Sequence, residues 1–255
     1  MTSCNRVFYT RRVTRILLVI ILVFVIGFTE SARGEIDVTL FTGVALTPGN
    51  DLDLHQAGGT DLTFHDVSFE GRDFESPPYY GFRGLWFAND NSHWGFGGEF
   101  FHIKLYAQTE NTVHVTGQRN FKSIDANERI DNTIQGFSIS HGLNFPLADV
   151  IYRWFPGPRG PGFPGCLQPY AGLGVGAAVP HVESEVREKF HEEYQFHGPG
   201  VEGLIGVNVD LAGHWGAMFE YKITYANLGE LDIPNGSIEL NPVTHNLVFG
   251  VTFRY

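Results

Sequence analysis

The sequence predicts an all-β fold, an eight-stranded antiparallel up-and-down transmembrane β-barrel. Three observations predict it: segments in which every second residue is apolar, a high content of Phe, Tyr and Gly, and long connections that alternate with short ones. The 255 residues include 22 Phe, 10 Tyr and 31 Gly. Aromatic side chains suit a lipid-facing surface and glycine suits a crowded barrel interior, so the composition agrees with the pattern.

Eight segments alternate in this way and are predicted strands: 36–46, 77–88, 94–106, 133–145, 168–181, 197–211, 214–227 and 243–255. In the last of them Leu247, Phe249, Val251 and Phe253 fall on one face. Its length, about 10 residues, is what a tilted strand needs to cross a membrane. A strand of a soluble sandwich also alternates, so the other segments must supply the partners. We expect 243–255 to close the barrel by pairing with 36–46.

The connections support this topology. Those after the first, third, fifth and seventh strands are long, at about 47–76, 107–132, 182–196 and 228–242, whereas those after the second and sixth are short. Outer-membrane barrels have long extracellular loops and short periplasmic turns. The Pro- and Gly-rich segment 146–167 departs from the rule and is predicted to be an irregular periplasmic turn. In the third strand Glu99 falls on the apolar side, and a bulge near 100–101 is the predicted repair.

Residues 1–34 predict a cleaved signal peptide ahead of one barrel domain at 35–255. A region with four Arg precedes the apolar run 16–28, and small residues follow it. That run of 13 residues would form a helix about 20 Å long, too short for a hydrocarbon core of about 30 Å. Cleavage is expected after Gly34, with cleavage after Ala32 and an uncleaved anchor as the alternatives.

The charge and cysteine content exclude several classes of protein. Loss of five Arg and one Glu with the signal peptide takes the net charge from −11 to −15, which excludes nucleic acid as a partner. Only Cys166 would remain, so no internal disulfide is expected. The phosphate-loop, dinucleotide and paired-cysteine zinc motifs of soluble enzymes do not occur.

Charges on the polar faces of the predicted strands are expected to fill the lumen with ion pairs. Eight strands enclose an interior that side chains can fill, which disfavours a conducting pore. A catalytic or metal site among these charges is the alternative. Arg254 is expected to pair with Asp37. The predicted lumen charges are Asp37, Arg83, His102, Lys104, Glu202, Asp210, Glu220, Lys222 and Arg254.

The long connections carry most of the acidic residues, and a divalent cation is the one cofactor that the sequence suggests. Carboxylate and imidazole ligands there would suit Ca²⁺, Mg²⁺, Mn²⁺ or Fe²⁺, and a merely solvated acidic surface is the alternative. The candidate ligands are Asp61, His65, Asp66, His181 and Glu183.

The segments 168–176 and 214–224, with the terminal strand, resemble the OmpA-like family of eight-stranded outer-membrane β-barrels. The resemblance spans the mature chain. It implies an integral protein of a Gram-negative-type outer membrane, in contact with lipid and lipopolysaccharide. It also implies assembly by the outer-membrane insertion machinery, which would recognise the last strand through Phe253 and Tyr255. We expect a monomer.

A narrower resemblance is carried by 58–68, 77–83, 152–154 and 178–183. These segments are similar to the subgroup that includes the rhizobial lipid A oxidase. This resemblance implies oxygen-dependent oxidation of the proximal glucosamine of lipid A to an aminogluconate, and it transfers no catalytic residue. The sequence therefore favours a structural or interactive role at the lipopolysaccharide surface, with lipid A oxidation as the enzymatic alternative.

Overall fold

The protein is described by a computed structural model that covers residues 34–160, 162–196 and 198–255. Apart from Gly34, the predicted signal peptide lies outside the described residues. The described chain contains one short 3-10 helix, Ile130–Asn132, and otherwise strands. The strands are β1 (Glu35–Leu46), β2 (Asn50–Gln56), β3 (Thr60–Val67), β4 (Phe69–Glu70), β5 (Tyr80–Phe87), β6 (Trp94–Ala107), β7 (Thr112–Arg119), β8 (Lys122–Arg129), β9 (Ile134–Arg153), β10 (Leu167–Ala177), β11 (Val179–Val186), β12 (Lys189–Tyr194), β13 (Pro199–Ala212), β14 (Trp215–Ala226), β15 (Glu230–Ile233), β16 (Gly236–Glu239) and β17 (Val243–Arg254).

Eight of these strands close into an antiparallel barrel: β1, β5, β6, β9, β10, β13, β14 and β17. Each pairs with the next barrel strand in the chain, and β1 pairs with β17 to complete the cylinder. The register of that last pair runs from Asp37 opposite Arg254 to Leu46 opposite His245. The predicted fold class is confirmed, including the pairing of the last segment with the first.

The barrel strands are apolar outside and polar inside, the reverse of a soluble protein. Along β14, Phe219 and Ile223 face outward and are exposed, whereas Glu220, Lys222 and Thr224 face inward and are buried. A protein in the hydrocarbon of a membrane needs an apolar outer surface and a fully hydrogen-bonded backbone, and these closed strands provide both. Within the part of the chain that the structure describes, no helix is long and apolar enough to span a membrane.

All four tryptophans lie near one end of the barrel, and this orients the molecule. Trp86, Trp94, Trp154 and Trp215 flank the short turns, at the end where both β1 begins and β17 finishes. Tryptophan is enriched where hydrocarbon meets the polar interface. We call this the short-turn end and the opposite one the long-loop end.

The long connections form a second sheet, which the sequence pattern did not predict. Six strands at the long-loop end pair in the order β15-β16-β2-β3-β7-β8. One face of this sheet is buried. Its fully buried side chains include Leu52 and Leu54 on β2 and Leu62 and Phe64 on β3. The hairpin of β11 and β12 adds to the barrel sheet by pairing with the upper half of β9. These connections are therefore folded β-structure rather than irregular loops.

Two strand predictions were wrong in detail. The fourth barrel strand, β9, continues through Pro146 to Arg153, because the alternation of buried and exposed residues continues there, and the turn shrinks to 154–166. In β6 the register shift lies between Ile103 and Leu105 rather than near 100–101. Because β6 is regular from Glu99 to Phe101, both of these side chains face the lumen.

Candidate functional site

A cluster of charged side chains crosses the middle of the lumen. Arg83 on β5 forms two hydrogen bonds with Glu220 on β14, at 2.6 Å (Nη1 to Oε2) and 2.9 Å (Nη2 to Oε1). Tyr170 on β10 donates to the same carboxylate over 2.8 Å. Glu99 on β6 contacts both Arg83 and Lys222. The cluster therefore ties together strands from opposite sides of the barrel.

This central cluster contains more acids than bases. Arg83 and Lys222 face four buried carboxyl groups, those of Glu99, Asp149, Glu202 and Glu220. Asp149 Oδ2 lies 3.7 Å from Arg83 Nε, and Glu202 Oε2 lies 3.4 Å from Lys222 Nζ. Neither Asp149 nor Glu202 accepts a hydrogen bond from the described residues. Unpaired buried carboxylates are costly, so removing either cation would leave the cluster strongly destabilised.

The lumen around the cluster is filled. The ring centroids of Phe41 and Phe101 lie 5.0 and 4.5 Å from Lys222 Nζ. A cavity of about 20 Å³ remains beside Arg83 and Tyr170, which is room for about one water molecule. Side chains therefore pack closely around the central cluster.

A second charged network closes the short-turn end. Arg254 Nε lies 3.0 Å from Asp37 Oδ1, and Arg254 also contacts Asp210. Gln168 holds Asp210 through two hydrogen bonds of 2.8 and 3.0 Å. Glu35 contacts Arg153 and accepts from Arg159 over 2.8 Å. This network joins the first and last strands at the seam where the barrel closes.

The structure places the predicted lumen charges in two groups and excludes two of them. Arg83, Glu202, Glu220 and Lys222 lie in the central cluster, and Asp37, Asp210 and Arg254 lie in the network at the short-turn end. His102 and Lys104 were wrongly assigned to the lumen, because β6 has no bulge near 100–101 and Phe101 and Ile103 therefore face inward. His102 stacks on Tyr80 and contacts Asn144, whereas Lys104 donates to the carbonyl of Glu75.

Sequence reasoning missed five charged residues of these networks: Glu35, Glu99, Asp149, Arg153 and Arg159. Glu99 would face the lumen with the predicted bulge near 100–101, but it was not included among the predicted lumen charges. Asp149 and Arg153 were assigned to a turn that is in fact the lower half of β9. The alternation of Leu147, Asp149 and Ile151 with Ala148 and Val150 was the signal that could have identified this strand.

A group of histidine and glutamate side chains lies at the long-loop end, where β9 meets the hairpin of β11 and β12. His141, His181, Glu183 and Glu192 each offer one ligand atom, and these four atoms all lie within 4.8 Å of one another. His141 Nδ1 is 2.7 Å from Glu183 Oε1, and His181 Nε2 is 3.5 Å from Glu192 Oε1. We call these four residues the His–Glu cluster. Their ligand types suit a first-row divalent metal.

The predicted cation ligands are divided between this cluster and the second sheet. His181 and Glu183 belong to the His–Glu cluster, whereas Asp61, His65 and Asp66 lie on β3 and join no group of potential metal ligands among the described residues. His65 contacts the Asp51 carboxylate at 3.1 Å, and Asp61 lies 3.0 Å from His55. The structure thus does not assemble the five predicted ligands into one site.

The proposed assembly signal lies on the lipid-facing side of the closing strand. Phe253 is outward-facing, and its ring centroid is 5.0 Å from that of Trp215. Tyr255 is exposed, and its backbone exchanges two hydrogen bonds with Ile36, of 2.8 and 2.9 Å. The strand is therefore paired up to the last residue of the sequence.

The chain matches the family model described as the outer membrane protein beta-barrel domain over residues 38–254. No curated protein matches it. Among solved structures it is similar to Neisserial surface protein A, at 10% identity over 89% of this chain and 100% of that chain, with a TM-score of 0.40. It is also similar to OprG from Pseudomonas aeruginosa, at 16% identity over 89% of this chain and 97% of that chain, with a TM-score of 0.38. For Ail of Yersinia pestis in complex with sucrose octasulfate, the identity is 11% over 88% of this chain and 99% of that chain, with a TM-score of 0.38. Because the family model spans most of the sequence and the described strands close into a barrel, the chain belongs to the outer membrane protein β-barrel family and is an integral protein of the outer membrane.

Proposed function

We propose that this protein is a non-conducting barrel whose folded extracellular region contacts lipopolysaccharide through bridging divalent cations. The long-loop end is the extracellular one, because outer-membrane barrels place their short turns in the periplasm. The observation that carries the proposal is the distribution of charge. The four extracellular connections, 47–79, 108–133, 178–198 and 227–242, contain nineteen acidic and six basic residues, so they carry −13 of the −15 predicted for residues 35–255.

The extracellular acids are presented by ordered strands rather than by flexible loops. The second sheet has its own buried apolar residues, so its polar face keeps a fixed arrangement of carboxylates. Lipopolysaccharide is also anionic, and two acidic surfaces attract one another only when cations lie between them. Ca²⁺ and Mg²⁺ prefer oxygen ligands of this kind. The filled lumen further supports a role at the surface over one in transport.

The binding of lipopolysaccharide to the refolded barrel in detergent tests this proposal. We expect binding in Mg²⁺ or Ca²⁺ and its loss in EDTA. A variant with Asp61, Asp125 and Glu230 changed to the corresponding amides should bind more weakly, since all three are exposed on the second sheet. The same variant should fold normally. Absence of cation-dependent binding by the unmodified protein would contradict the proposal.

We also propose that the protein assembles as a monomer through the outer-membrane insertion machinery. The exposed aromatic side chains of Phe253 and Tyr255 on the closing strand support recognition of that strand. The strand is the last to complete the cylinder, because it must pair with both β14 and β1.

Lipid A oxidation is the second candidate function, and the His–Glu cluster is the observation that favours it. Two imidazoles and a carboxylate with solvent access form the kind of ligand set that supports dioxygen chemistry at iron. In this reaction the hemiacetal carbon of the proximal glucosamine would be oxidised by two electrons to a lactone, while dioxygen accepts two electrons and two protons to become hydrogen peroxide. Water would then open the lactone to the carboxylic acid. Mass spectrometry of lipid A from a deletion strain complemented with the wild type or with His181→Ala tests it. An unchanged lipid A distribution in the deletion strain would exclude the oxidase.

A further inference from the structure

The two glutamates of the His–Glu cluster lie directly opposite one another in an antiparallel pair. Glu183 on β11 is the cross-strand partner of Glu192 on β12, and His181 shares a face with Glu183 because the two are separated by one residue. Like charges in directly opposed positions destabilise a sheet. The next cross-strand pair on the same face, Glu185 with Phe190, contains no such conflict. A cation between the two carboxylates would remove the repulsion.

His181 supplies an independent indication of a ligand. Its side chain is only 8% exposed, yet Nδ1 has no hydrogen-bond partner among the described residues. That nitrogen points toward Glu183, whose Oε1 lies 3.9 Å away. The ring is held in place by Tyr194 and His141, at centroid distances of 4.1 and 4.8 Å. A buried polar atom without a partner is costly, and a fixed imidazole with a free nitrogen is suited to binding a metal.

The remaining members combine fixed and adjustable ligands. Ser140 donates a hydrogen bond to Glu183 and so orients its carboxylate, as groups around a metal site commonly do. The side chains of His141 and Glu192 are 55% and 44% exposed and can move toward a common point. A tetrahedral Zn²⁺ site needs ligands about 2.0–2.2 Å from the metal. Small movements of these two exposed side chains would provide that geometry.

We propose that His141, His181, Glu183 and Glu192 bind a divalent first-row transition metal on the extracellular side of the barrel. The two imidazole nitrogens favour such an ion over Ca²⁺ or Mg²⁺, which prefer oxygen. Lipid A oxidation would use a metal at this same cluster, but the inference does not rest on that function, because a barrel without enzymatic activity can also hold the metal. Its test therefore measures metal binding alone.

Calorimetric titration of the refolded barrel, prepared without a histidine tag, with Zn²⁺ tests the site. We expect saturable binding of one ion that excess Ca²⁺ does not displace. His141→Ala and Glu192→Gln should each weaken that binding by about tenfold or more, and Ser140→Ala by about tenfold. Both ligand variants alter exposed side chains, so the barrel should keep its heat-modifiable migration on gels.

Matched controls lie on the same hairpin. His191→Ala and Glu193→Gln change the same residue types on β12 outside the cluster and should leave Zn²⁺ affinity unchanged. These controls are needed because other histidines of the extracellular region can also bind Zn²⁺. Absence of saturable Zn²⁺ binding would overturn the proposal. Equal losses in the cluster and control variants, or no loss in either, would also overturn it.

Discussion

Arg83 and Glu220 pair across the lumen, although their strands are separated in the barrel by β17 and β1. The two hydrogen bonds of this pair, at 2.6 and 2.9 Å, form inside the lumen between side chains of strands that are not neighbours. Both side chains are buried, and Glu99 and Tyr170 contact the same pair. The pair thus links opposite walls of the cylinder, and the stability of the barrel should depend on it.

Replacing Arg83 with Met should destabilise the barrel by about 3–5 kcal/mol, because it leaves Lys222 to balance the buried carboxylates of Glu99 and Glu220 on its own. Urea unfolding in lipid vesicles measures the change. Arg72→Met is the matched control. Arg72 forms an exposed ion pair with Glu70, and such pairs contribute only about 0–1 kcal/mol. Equal effects of the two substitutions would contradict the assigned importance of the lumen pair.

Gly206 should not tolerate a larger side chain. A Cβ atom there would lie 2.6 Å from the Tyr170 hydroxyl oxygen and 2.7 Å from the Phe219 carbonyl oxygen. Gly206→Val should therefore cost about 1–3 kcal/mol of unfolding free energy. Gly213→Asn is the control, since Gly213 has a φ of +58° in an open turn where Asn is accepted. A stable Gly206→Val protein would show that the packing around Tyr170 is looser than described.

Deletion of 253–255 should abolish assembly. It removes the ring contact of Phe253 with Trp215 and both backbone hydrogen bonds between Tyr255 and Ile36. The fraction of protein in the outer membrane that migrates differently before and after boiling measures assembly. Phe121→Ala, which alters an exposed aromatic between β7 and β8, should assemble normally. Normal insertion of the truncated chain would show that another segment directs assembly.

The purified barrel should produce no steady conductance in a planar bilayer. Buried side chains fill the lumen around Lys222, and the cavity beside Tyr170 is only about 20 Å³. Reproducible single-channel steps at the reconstitution densities used for porins would contradict the filled lumen.

The barrel could be predicted from the sequence because its strands separate lipid from a polar interior. Along β14 and β17 that separation appears directly as alternation, so the strands, their number and the pairing of the termini followed from it. The second sheet could not be predicted in the same way. Its outer face is acidic and its strands are short, so 50–56 and 60–67 were interpreted as connections. The sequence does contain a hairpin pattern here: alternating apolar residues lie on both sides of the Gly58–Gly59 turn. These residues are Leu52 and Leu54 before the turn, and Leu62 and Phe64 after it.

The candidate sites followed from the sequence only in part. Alternation is enough to place Arg83, Glu220 and Lys222 on the lumen face, but it does not predict which charges meet across the barrel. The pairing of β6 with β9 is regular from Glu99 to Ile103, so Phe101 shares the lumen face with Glu99 and His102 lies on the opposite face. The His–Glu cluster depends on a pairing between β9 and β11 that contains its own register shift. His141 joins His181 there through tertiary contacts alone.

Cross-linking of the first and last barrel strands tests the closed barrel most directly. Leu40 and Val251 are opposed in the β1–β17 pair, and both face outward. In a background with Cys4 and Cys166 changed to Ser, Leu40→Cys with Val251→Cys should form a disulfide that alters gel mobility until reductant is added. Leu40→Cys with Leu173→Cys, which places the second thiol on β10 away from that seam, should not. A disulfide in the first pair alone is the predicted result, whereas its absence, or equal cross-linking in both, would contradict closure through β1 and β17.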